Sequence, residues 1–259
     1  MEQHTPLGMN RTGVQMSPMD TEEMREVTDL PEADMEAAEA SLASARRPYI
    51  EASEGLGSVP LPGTVKGTLQ SAKQMLTGKH PQVLIDKLGE RLAFERSGTR
   101  LYDALLMKCE AAGSALPEGA IDRLRHFRNE EALHFSLVAE ALERIGADPT
   151  AQTPCADLVG VEGMGLMQAM NDPRTTVPQS LHVILDAELL DNAGWEMLID
   201  LARAVGEDEM ADRFEQALQQ ENEHLREVRA MVEQLTLNDA KHRMRDRIDI
   251  GSGDAGTRH

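Results

Sequence analysis

Two Glu-x-x-His pairs, Glu131/His134 and Glu221/His224, each follow a stretch with one glutamate at an apolar register, Glu95 in the first case and Glu188 in the second. Carboxylate and imidazole are donors for divalent metals such as iron and manganese, so four acids and two imidazoles converging on one helical core would make a dinuclear metal site. The 259 residues include 27 Glu and eight His, and roughly one Glu-x-x-His is expected by chance. Chance does not readily supply the order Glu, Glu-x-x-His, Glu, Glu-x-x-His with every member in core register.

Residues three and four apart share a helix face, and an apolar stripe marks the buried one. Leu84, Leu88, Leu92, Glu95, Thr99, Tyr102 and Leu106 form one stripe. Ile121, Leu124, Phe127, Glu131, His134, Val138 and Ile145 form the second. The third runs through Leu181, Leu185, Glu188, Asn192, Trp195 and Ile199, and the fourth through Met210, Phe214, Leu218, Glu221, His224, Val228 and Val232. Each carboxylate interrupts its stripe near the middle. A buried carboxylate is costly unless compensated, and four close together repel one another. Two divalent cations would balance four carboxylates and leave a neutral cluster. Surface Glu and His on ordinary helices, the bland alternative, leave the stripes unexplained.

The pattern resembles the ferritin-like superfamily of di-iron carboxylate proteins, in particular bacterioferritin and the ferritin-like part of rubrerythrin. There a Glu from each of two helices joins a Glu-x-x-His from each of the other two. The likeness covers residues 82 to 237 and implies an all-α, ferritin-like four-helix bundle: an up-down pair, a long crossover and a second up-down pair. The spacings agree, with 36 residues from Glu95 to Glu131, 33 from Glu188 to Glu221, and 57 between the two halves. By resemblance, Glu95 and His134 are terminal ligands to one metal and Glu188 and His224 to the other, while Glu131 and Glu221 bridge both. The implied cofactor is two Fe ions, with Mn possible and Zn a further option. The implied chemistry is oxidation of Fe2+ or of a small substrate with O2, or reduction of H2O2, in a homo-oligomer. The alternative is a non-catalytic metal-binding or scaffolding bundle that docks a partner protein through its acidic amino-terminal tail.

Three neighbours extend the set. Tyr102, seven residues after Glu95, matches a tyrosine that ferritins place beside the di-iron site, where it would donate an electron or a hydrogen bond; plain core packing is the other option. Glu130 resembles the acid that orients a histidine from behind, or is a flank acid. Asp191 is either an extra carboxylate at the cluster edge or a boundary residue. The chain departs from rubrerythrin in having only Cys109 and Cys155 and no C-x-x-C, so a rubredoxin-like centre is excluded.

The rest of the chain is subordinate. Residues 1–63 read as an acidic, largely disordered extension, with a weak helix near Ala33 to Arg46 and scope as a docking tail. Residues 64–80 read as a short helical linker built on Val65, Leu69, Ala72 and Met75, 81–238 as the bundle, and 239–259 as a charged tail. One short helix is expected in the crossover near Ala156 to Met170. Pro117 suits the first turn of the second helix, Gly146 its end, Pro178 the start of the third and Gly206 the break before the fourth. A formal charge of -19 argues against nucleic acid. No 18-residue apolar run or secretory start is present, and two unpatterned cysteines suit a reducing compartment, so a cytoplasmic location without membrane contact is expected.

Overall fold

A computed structural model of the chain describes residues 32–53, 56–60, 81–112 and 116–252. The helical piece expected at Val65 to Met75 and residues 1–31 of the extension lie outside the described residues. The described residues hold seven helices and no strand: α1 Glu32–Ala52, α2 Pro81–Ala111, α3 Ala120–Arg144, α4 Pro154–Glu162, α5 Met164–Asn171, α6 Val177–Val205 and α7 Asp208–Ser252. The chain divides into two compact units, Met1–Gly55 and Leu56–His259. In the first, α1 takes in the stretch from Ala33 to Arg46, and its described side chains are exposed, Leu42, Tyr49 and Ile50 included.

The second unit is a bundle of α2, α3, α6 and α7. One apolar cluster joins Leu84 and Leu88 of α2 to Val138 and Leu142 of α3, Trp195 and Leu198 of α6, and Met210 and Phe214 of α7. Another joins Leu101 and Leu105 of α2 to Leu124 and Phe127 of α3, Leu181 and Ile184 of α6, and Val228 and Met231 of α7. The start of α2 therefore meets the end of α3, the end of α6 and the start of α7, so neighbouring helices run antiparallel. At 1.5 Å per residue, 25 to 31 residues give α2, α3 and α6 lengths of roughly 37–47 Å. The crossover leaves α3 at one end of the bundle and enters α6 at the other. Here the all-α, up-down pair, crossover, up-down pair architecture is observed.

Local chemistry sets the boundaries. Thr176 caps α6 in a reciprocal capping box with Gln179, and Pro178 sits in its first turn. Gly206 ends α6 and leads within two residues into α7. Three boundaries differ from the sequence expectation. Pro117 lies before α3, because Gly119 at φ 74 is left-handed and stops the helix from reaching back; the Pro117 carbonyl accepts the Ala120 N–H instead. The crossover carries two short helices, α4 and α5, meeting at Gly163, whose N–H closes the first helix on the Val159 carbonyl. Finally, α7 continues past Asn238 to Ser252, because the sequence offers no glycine or proline until Gly251. The stripes drift slightly as well: Leu105 is fully buried and Leu106 only half-buried, as 3.6 residues per turn require over a long helix.

Candidate metal centre

Between the two apolar clusters lies a layer of buried polar groups. Glu131, Glu188, Glu221 and His224 offer donor atoms within 4.8 Å of one another, as do Glu95, His134 and Glu221, and again Glu95, Glu131, Asp191 and Glu221. All six ligands expected from the sequence are in this layer and buried, with Glu221 common to all three groups. Both oxygens of Glu95, Glu131 and Glu221, Glu188 Oε2, Asp191 Oδ1, and Nδ1 of His134 and His224 have no well-aligned hydrogen-bond partner beyond one another and Arg91. Unsatisfied buried oxygens are expensive, and a set this dense, made only of carboxylate and imidazole donors, fits a pair of hard or borderline divalent cations.

Both imidazoles turn Nδ1 inward. His134 Nδ1 lies 2.5 Å from Glu221 Oε1, and His224 Nδ1 lies 3.2 Å from Glu221 Oε2 and 3.5 Å from Glu131 Oε1. Each outer Nε2 is tied to the residue that precedes the other motif's glutamate. His224 Nε2 donates to Glu130 Oε2 at 2.9 Å and His134 Nε2 to Gln220 Oε1 at 2.9 Å, while Gln220 Nε2 donates to Glu130 Oε1 at 2.5 Å. This chain fixes ring orientation and, with Nε2 protonated, leaves each Nδ1 lone pair for a metal. Glu130 thus meets the expected orienting contact, whereas Gln220 was not singled out in the sequence. Phe127 packs on His224 with centroids 4.4 Å apart, and Trp195 meets His134 edge-on at 5.6 Å, giving both rings apolar walls. Tyr102 is fully buried beside the cluster, its hydroxyl donating to Glu188 Oε1 at 2.5 Å. Asn192 ties α6 to α7 by donating to the carbonyls of Glu188 and Glu221.

Arg91, which no motif marks in the sequence, belongs to the same layer. It is buried one turn before Glu95, its Nε 3.1 Å from Glu95 Oε1 and its Nη1 2.7 Å from Asp191 Oδ1 and 3.0 Å from the Asp191 carbonyl. Asp191 is accordingly part of the buried layer and not a boundary residue. The charge balance survives: five carboxylates and one guanidinium leave four negative charges, the number that two divalent cations neutralise.

Without cations the layer must find protons. Burial, then neighbouring acids, holds Glu188 far above the usual carboxylate range. Glu95 and Asp191 are also raised far, by burial first, with Arg91 opposing, and Glu131 is raised less. Glu221 goes the other way: burial would raise it, but hydrogen bonds from His134 and His224 pull it down to about 2. Burial would lower His224, but Glu131 and Glu221 push it up to about 12, and Glu221 raises His134 likewise. At neutral pH His224 therefore carries a second proton that a cation has to displace, and His134 is shifted in the same direction. Metal loading is expected to release protons, and affinity should fall about tenfold per pH unit of acidification for each proton displaced. Calorimetry in buffers of different ionisation enthalpy measures that release; a proton-neutral binding event would contradict it.

Gly98 sits one turn after Glu95, and a Cβ there would collide with a Glu131 carboxylate oxygen. Glycine inside a helix costs about 1 kcal/mol against alanine, so room for Glu131 is what this position gains. Gly98→Ala is expected to keep or raise helicity while weakening metal binding about tenfold or more, by analogy with the loss on disturbing residues that orient ligands. Equal metal affinity in the two proteins, measured against a chromophoric chelator, would show that the carboxylate is not held there.

Residues 85–238, well over half of the chain, match the family model described as the ferritin-like domain. No curated protein and no solved structure matches the chain. The chain belongs to the ferritin-like domain family. No helix among the described residues is long and apolar enough to cross a membrane.

Proposed function

We propose that the protein is a di-iron oxidoreductase that oxidises Fe2+ or a small substrate with O2, or reduces peroxide, at the Glu4His2 layer. The observation that carries this is the set of inward-facing carboxylate oxygens and Nδ1 atoms, drawn from four helices, that face one another in groups within 4.8 Å. Glu95 and His134 would hold one ion, Glu188 and His224 the other, with Glu131 and Glu221 between them. When bound, the ion pair supplies two electrons to an oxidant, and manganese is the alternative occupant.

The chain's own residues do the rest. Glu130 and Gln220 keep both imidazoles aimed inward, and Arg91 with Asp191 holds Glu95 against its neighbours. Phe127 and Trp195 keep water from the rings. Tyr102, hydrogen-bonded to Glu188, is the candidate catalytic side chain, placed to donate a hydrogen bond or an electron at that carboxylate. Anaerobic loading with Fe2+ followed by a pulse of O2 tests the proposal. Rapid oxygen uptake with a transient visible band is expected. Metal that stays bound and inert would overturn it in favour of a metal-binding scaffold.

A further inference from the structure

Outside the polar layer, α2, α4 and α6 line a half-open cavity of about 180 Å³. Phe94, Val159, Met197 and Leu198 give it apolar walls. Arg91 and Gly194 also line it, and the guanidinium lies over Gly194 so closely that a Cβ there would collide with Nη1. An apolar cavity of about 150 Å³ is enough to take a benzene-sized molecule.

Arg91 is the wall between this cavity and the metal layer. Only 4% of it is exposed. Its Nε and Nη1 face Glu95 and Asp191, and its Cζ lies over the Phe94 ring, 4.3 Å from the centroid. Nη2 makes no hydrogen bond among the described residues, while Nη1 bonds the Asp191 carbonyl. Nη2 is not among the buried unpartnered atoms, so it reaches solvent, and a ligand oxygen in the cavity can replace water on it. The charges around it favour a neutral ligand. Lys87 is paired with Glu90 at 2.5 Å, Glu162 adds a second acid to the lining, and Arg91 is already shared by two carboxylates. An anion would find no unpaired cation here, and a cation would face the guanidinium.

We propose that this cavity binds an uncharged molecule of about single-ring size whose carbonyl-type oxygen accepts a hydrogen bond from Arg91 Nη2. The bound molecule then lies one side chain away from Glu95 and Asp191, where a substrate or reductant of the metal centre belongs. This role at the centre rests on the proposed redox function, but binding does not require metal.

The test is a ligand-observed NMR titration of the full metal-free chain with acetophenone, toluene and benzoate. Acetophenone should saturate at about millimolar concentration, typical of so small a ligand, and bind more tightly than the other two. Ala193→Trp, at an exposed position on the cavity lining, should weaken acetophenone at least tenfold. Arg91→Met should weaken acetophenone about fivefold more than it weakens toluene, compared in protein shown by circular dichroism to be folded. In the Mn2+-loaded chain, the protons of bound acetophenone should relax faster than in the Mg2+-loaded one. Failure of acetophenone to saturate, indifference to Ala193→Trp, or tighter binding of benzoate would overturn the site. Equal relaxation with Mn2+ and Mg2+ would overturn its place beside the metal layer. Because the titration uses no metal, its failure is distinct from failure of the oxygen-uptake experiment.

Discussion

Glu221→Ala is expected to yield a chain that keeps its helices but no longer retains two divalent ions. Glu221 is the carboxylate shared by all three donor groups, and both inward Nδ1 atoms lie within 3.2 Å of it. Losing a residue that merely orients a metal ligand costs tenfold to a hundredfold in affinity, so losing this carboxylate should cost more than about a hundredfold. The fold survives because alanine is a better helix former, His134 loses the acid that raises it most, and His224 keeps Glu131 as its partner. Metal content after loading and gel filtration, read beside far-ultraviolet circular dichroism, checks both halves. Two ions still bound per chain would remove Glu221 from the ligand set, and Glu131→Ala gives the same test at the other carboxylate assigned between the ions.

The second large effect concerns Arg91 and Asp191. Arg91→Met alone leaves five buried carboxylates without their internal cation, and breaking a buried pair in this way costs about 3–5 kcal/mol. Asp191→Asn alone leaves three negative charges against two divalent cations, so it should weaken metal binding more than it weakens the fold. The double variant restores four negative charges and removes the desolvated pair, and it should recover most of the stability lost in Arg91→Met. Urea unfolding of the metal-free proteins gives the cycle. Additive losses would mean that the 2.7 Å contact contributes little and that each side chain acts alone.

The bundle and its ligands were largely legible in the sequence because both leave a periodic mark. A carboxylate inside an apolar stripe is anomalous at one position, and Glu95, Glu131, Glu188 and Glu221 repeat the anomaly at spacings that suit paired helices. Arg91 left no comparable mark, since arginine one turn before glutamate is common on solvated faces; only its place between Leu88 and Leu92 hinted at burial. Asp191 was undervalued for the same reason, as its partner lies a hundred residues away. Gln220 and Gly98 matter through what they touch, Glu130 and His134 for one and the Glu131 carboxylate for the other, and such contacts exist only after the helices pack. The split of the crossover at Gly163 depends on a local turn choice that composition does not encode.

The position of the polar layer, with an apolar cluster on either side of it, has a consequence for how the four rods find their alignment. Helices with uniformly greasy seams can slide by a turn at little cost, because one leucine replaces another. Here a slip of one turn, about 5.4 Å, would drive Glu95 or Glu221 into a band of Leu, Phe and Trp and strand its charge there. The same acids that hold cations therefore act as a vernier that rejects misthreaded assemblies.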